Sequence, residues 1–181
     1  NVYGICEALK AIPGIEAAEP VGRIITTDLP NDTQFGSQWS LQNSGQTGGR
    51  VGADISAVPA WNIETGKPET IVAVHDGGVQ LNHPDLQQNL WVEKAFNFVN
   101  HSTNLTFDPH GTHVAGLLAA VRNNATGIAG IAGGNGNANS GVRMMSLQIA
   151  GGTPVQAGHE ALSFVYAANN GAAISKNSWS Y

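Results

Sequence analysis

The sequence predicts an α/β fold built on a parallel sheet. Three apolar runs, Ile71–Val74, Val142–Ile149 and Ala172–Ser178, are each separated from the next by a helical pattern. The first run has no polar alternation, as in a strand covered on both faces.

The chain has 181 residues and a formal net charge of −5, with 41% apolar and 12% charged residues. It can bury a sizeable core. The acidic balance and the absence of Lys/Arg clusters disfavour nucleic acid and anionic lipid as partners. No apolar run approaches the ~18 residues of a membrane span. A single cysteine, Cys6, excludes an internal disulfide. The chain opens on Asn1 and closes just after a strand-like run, so it reads as a fragment of a longer polypeptide. No internal repeat is visible.

Ile5, Leu9 and Ile12 have helical spacing, broken at Pro13-Gly14. Short strands are expected over Ile15–Pro20 and Arg23–Thr27. The polar stretch Leu29–Arg50 reads as a surface connection anchored by Phe35, Trp39 and Leu41. Ser56 is placed to cap a short helix running through Trp61 and Ile63. Residues 87–109 read as loop. A helix follows, with Val114, Leu117, Leu118 and Val121 on one face, and Gly111, Ala115, Gly116 and Ala119 allowing close approach. Asn123–Gly141 is Gly/Asn-rich loop. Thr153-Pro154 signals a helix start. Leu162, Val165, Tyr166 and Asn169 fit that helix, and Asn170-Gly171 ends it.

Ligands of open parallel sheets bind outside the carboxyl ends of the strands. Asp76 follows the first strand there, as either a site carboxylate or a turn residue. His110 and His113 open the next helix, and an imidazole with pKa near ~6.5 can exchange a proton near neutrality. Two histidines three apart also suggest zinc, but no His-Glu-x-x-His pattern accompanies them.

The segment TIVAVHDGGVQLNHPDL (70–86) resembles the aspartate segment of the subtilisin-like serine peptidases, or subtilases. PHGTHVAGLLAAVRNNATGIAGIAGG (109–134) resembles their histidine segment. VRMMSLQIAGG (142–152) and ISKNSWS (174–180) are similar to the next two strands, in order. PNDTQFGSQWSLQNSGQTGG (30–49) resembles the entry segment of many secreted members. The resemblance implies a parallel-sheet, three-layer subtilisin-like fold, here truncated, and a serine endopeptidase acting on extended polypeptide. It makes Asp76 and His110 two members of an Asp-His-Ser triad, within hydrogen-bond reach of each other. The family's serine lies in a Gly-Thr-Ser segment, and its oxyanion-hole Asn also lies later. Neither segment occurs in these residues, so the chain alone is expected to be inactive.

Further expectations follow from the same resemblance. Ala150, Gly151 and Gly152, with Ser178, Trp179 and Ser180, match the strand edges that pair with substrate; by residue type alone the first group is a plain turn and Trp179 ordinary core. Asp85, Val121, Asn123, Asn124 and Ile128 match a structural calcium site, by residue type alone a turn carboxylate and polar loop amides. No catalytic cofactor is implied. LKAIPGIEAAEP (9–20) resembles the tail of a pro-domain acting in cis, which divides the chain into residues 1–28 and a peptidase domain over 29–181. A secreted zymogen is therefore expected. Asn-x-Ser/Thr occurs at Asn31, Asn100, Asn104 and Asn124, with little meaning in so Asn-rich a chain.

Three departures stand out. Asp76-Gly77-Gly78 replaces the usual Asp-Ser/Thr-Gly, His75 replaces an apolar residue, and Ser180 stands where Gly is common. They keep open a non-catalytic pseudo-peptidase that grips peptides. A metal-dependent hydrolase using His110 and His113 is a further reading.

Overall fold

The computed structural model describes residues 2–19, 29–151 and 158–179. Four parallel strands form one sheet in the order β2-β3-β1-β4: β1 Ile71–Asp76, β2 Phe96–Asn97, β3 Arg143–Gln148 and β4 Ile174–Asn177. Four α-helices accompany it among the described residues: α1 Val2–Lys10, α2 Ala57–Ala60, α3 Pro109–Ala119 and α4 His159–Asn169. No helix among the described residues is long and apolar enough to cross a membrane.

Strand alternation builds the three layers. Val72 and Val74 share one face with Met144 and pack on Val114, Ala115 and Ala119 of α3. Ala73 takes the other face with Met145 and Leu147 and packs on Ala167 of α4. Burying each of the larger side chains contributes roughly 1.5–3 kcal/mol. A separate cluster holds α2 and the polar connection together through Phe35, Leu41, Val58 and Trp61.

Several local expectations are corrected. Residues 15–19 form no strand, and Arg23–Thr27 lies outside the described residues. Phe35 and Leu41 are buried, but Trp39 is half exposed. Ser56 sits before α2 with left-handed φ of 57° and does not cap it. Its N–H instead donates to Asp54 Oδ1 at 2.7 Å, and Ile63 is exposed. Residues 87–109 contain β2, which Phe96 and Phe98 stabilise by edge-on packing.

The two main helices bury narrower faces than their apolar residues suggest. In α3 the small residues Gly111, Ala115 and Ala119 face β1, while Leu117 is exposed. In α4 the buried residues are His159, Ser163 and Ala167, while Leu162 and Val165 are exposed. Short side chains win because the strand opposite α4 presents Ala73 and the bulky His75. The Thr153-Pro154 start signal falls outside the described residues, as does the boundary at 28/29. Ile174 on β4 is also exposed.

Candidate active site

Asp76 closes β1 on the same face as Val72 and Val74, so its carboxylate points toward α3. It is paired with Gln148 of β3 in the ladder. Asp108 occupies the N-cap of α3, accepting from the His110 N–H through Oδ1 at 2.6 Å, with Pro109 at the first helical position. That start fixes the backbone of His110 beside the Asp76 turn. Gly111 lets the helix come close: a Cβ there would lie 3.0 Å from Asp76 Oδ1 and closer still to the Gly78 carbonyl.

The result is a hydrogen bond of 2.9 Å between His110 Nδ1 and Asp76 Oδ1. The carboxylate is 6% exposed and the imidazole 56% exposed. Oδ1 also accepts from the Gly77 N–H at 2.7 Å. Oδ2 is buried without a partner among the described residues. A carboxylate accepts, so Nδ1 carries the proton and Nε2 is left as a base open to solvent. The hydrogen bond and the charge of Asp76 raise the His110 pKa above its ordinary 6.5, helped by the charge of Asp108 and opposed by Lys176.

The expected substrate edges flank this pair. Ala150 and Gly151 follow β3, and Ser178 and Trp179 follow β4, on either side of the carboxyl end of β1. Trp179 is half-buried and packs on the cluster of Ala73, Met145 and Leu147, as a core residue does. Gly152 and Ser180 lie outside the described residues.

Gln148, Asp108 and Asp32 were missed by sequence reasoning. Gln148 is buried; its Oε1 accepts from Thr106 N at 3.0 Å, and its Nε2 donates to Thr106 Oγ1 at 2.6 Å and to the Ala150 carbonyl at 3.1 Å. It ties the segment before His110 to the β3 edge. A polar residue inside an apolar run was its only signal. Asp108-Pro109 was a readable cap signal.

Of the residues expected around a calcium ion, Asp85 lies in the turn region after β1 and the others on the loop 121–128 after α3. Val121 N donates to the Asp85 carbonyl at 2.7 Å, Asn124 Nδ2 to Asp85 Oδ1 at 2.8 Å, and Ile128 N to Oδ2 at 3.0 Å. Asn123 instead donates its N–H to Asp32 Oδ2 at 2.9 Å, and its side-chain oxygen accepts from Asn31 N. Asp32 and Asp85 are both buried, and Asp32 Oδ1 has no partner among the described residues. Burial pushes the Asp32 carboxyl up, and the Asp85 charge adds to this. Both Asp85 oxygens accept from N–H groups, so the unpartnered, buried Asp32 Oδ1 is the feature that fits an oxygen-preferring cation. Nothing in the sequence tied Asp32 to a loop 91 residues away.

His113 is exposed and lines a surface cavity with His83 and Phe107. Among the described residues, no three His, Cys, Asp or Glu side chains gather where they would hold a metal ion. The geometry therefore offers the paired histidines no zinc-like ligand set.

Comparison with known proteins bears on the family and the fold. The chain is 38% identical over 134 residues to a thermophilic serine proteinase of Bacillus sp. (strain AK1), covering 73% of this chain and 30% of that protein. It is 36% identical over 151 residues to neuroendocrine convertase 2 of Drosophila melanogaster, covering 78% and 23%. The crystal structure of a serine protease of Aeromonas sobria superposes with a TM-score of 0.60 at 30% identity, covering 91% of this chain and 27% of that one. The chain thus spans less than a third of the length of these relatives. The sequence model of the subtilase family matches residues 67–181, from the approach to β1 through β4, and on that match the chain belongs to the subtilase family.

Proposed function

We propose that this chain carries the aspartate and histidine of a serine endopeptidase, with the nucleophilic serine supplied from outside residues 1–181. The observation that carries the reading is the Asp76–His110 hydrogen bond at the carboxyl end of β1, between two strand ends suited to hold peptide. Asp76 holds the imidazole in the tautomer that exposes Nε2 and stabilises the imidazolium as it forms. His110 takes the serine proton during attack on the peptide carbonyl and returns a proton to the leaving amine. The acyl-enzyme is then hydrolysed by water.

The substrate is an extended polypeptide paired by its backbone against Ala150–Gly152 and Ser178–Ser180. A calcium ion held by Asp85 and Asp32, with oxygens of the Val121–Ile128 loop, would stiffen the far side of α3. Residues 1–28 are read as the tail of a pro-domain acting in cis, residues 29–181 as peptidase domain, and the protein as a secreted zymogen.

Residues 1–181 alone have no Gly-Thr-Ser segment and no peptidase activity under this proposal. Peptide hydrolysis by the longer polypeptide, lost on His110→Ala, tests the enzyme reading. Peptide binding without cleavage by that polypeptide would replace it with the pseudo-peptidase.

A further inference from the structure

The turn after Asp76 and the cap of α3 interlock. An ideal Cβ on Gly77 would lie 2.8 Å from Asp108 Cβ, from Cγ and from Oδ2. No side chain fits at position 77 while Asp108 keeps its place. Asp108 is held there by three bonds: its N–H donates to the Gly78 carbonyl at 3.1 Å, its Oδ1 accepts from His110 N at 2.6 Å, and its carbonyl accepts from Thr112 N at 3.0 Å. It bridges the turn that carries the aspartate to the helix that carries the histidine.

We propose that Asp108 is a positioning residue of this site, whose carboxylate occupies the space left by the missing side chain at position 77 and sets both the place and the charge environment of His110. The inference rests on the Asp76–His110 reading above. It gives the Asp-Gly-Gly departure a structural counterpart, in that the space beside the aspartate at position 77 is taken by a carboxylate from the facing helix. The charged groups around the ring are then Asp76 from β1, Asp108 from the α3 cap and Lys176 from β4, the last acting in the opposite sense.

Asp108→Asn separates charge from capping, because Asn caps a helix as well as Asp does. NMR titration of the His110 ring in the full 181-residue chain should shift downward in Asp108→Asn, and further in Asp76→Asn. A second test does not depend on titration. Gly77→Ser should lower Tm in the native background and lower it less in the Asp108→Gly background, since that change removes all three crowding atoms. If Asp76→Asn shifts the titration and Asp108→Asn does not, the role of Asp108 is overturned and the Asp76–His110 pair stands. If neither shifts it, the pair itself fails and this inference with it. An equal Tm loss for Gly77→Ser in both backgrounds also overturns the interlock.

Discussion

His75 and Asp76 are neighbours in β1 whose side chains leave opposite faces of the sheet. Asp76 meets His110 at the mouth of the site. His75 is fully buried beneath α4, with Nδ1 2.7 Å from Ser163 Oγ and its ring centroid 4.6 Å from that of Phe164. Ser163 donates its only proton to the Glu160 carbonyl at 2.7 Å, so His75 must donate from Nδ1. Its Nε2 is a bare acceptor, buried without a partner among the described residues.

Acid lability is the consequence. Burial lowers the His75 pKa from 6.5 to about 4, so the unfolded chain binds more protons than the native one between those values. Stability then rises with pH across that window and is lost as pH falls from 6.5 toward 4. The contribution is on the order of 3 kcal/mol. Urea midpoints measured from pH 7 to pH 4 should fall, and His75→Val should flatten the slope. An unchanged slope in that variant would assign the acid response to other groups.

Gly111→Ala should cost about 1–3 kcal/mol, the usual range for overpacking. The added methyl meets Asp76 Oδ1 and the Gly78 carbonyl, so the helix must retreat from the turn. A crystal structure of the variant should show the His110–Asp76 distance lengthened from 2.9 Å. A wild-type distance at wild-type stability would show that the close approach is not needed.

Gln148→Leu keeps the side-chain size and removes the ties to Thr106 and Ala150. The expected loss is about 1 kcal/mol, because these partners are partly accessible to water. Hydrogen exchange should accelerate at the Thr106 amide, while the β1–β3 ladder stays protected. Unchanged exchange at Thr106 would remove Gln148 from the support of the site.

Calcium should raise Tm, and chelation should lower it. At a hundredfold excess over Kd the gain is about 2.7 kcal/mol. Asp32→Asn and Asp85→Asn should each abolish the calcium-dependent rise. Identical melting with calcium and with chelator would reject the proposed ion.

Much of the layered fold was legible in residues 71–149, where apolar runs and small-residue helices leave little freedom. Asp76 and His110 were readable through the segments around them, which resemble the aspartate and histidine segments of the subtilases; within these, Gly78 and Gly111 stand where backbone approaches backbone. The buried faces of the helices were less legible. Periodicity favours the large Leu117, Leu162 and Val165, yet close packing on β1 selects Ala115, Ser163 and Ala167. Asp32 and Gln148 act across distances of 91 and 42 residues to Asn123 and Thr106, which no local pattern encodes.

The most direct measurement is the pH dependence of peptide hydrolysis by the longer polypeptide, compared among wild type, Asp76→Asn and His110→Ala. Wild-type kcat/KM should rise through an acid limb above the ordinary histidine value of 6.5, because His110 acts as a base only when neutral and Asp76 holds its proton on. Asp76→Asn should lower kcat by about 10⁴-fold, and His110→Ala by roughly 10⁶-fold. Wild-type rates in either variant would contradict the assignment of this pair to catalysis.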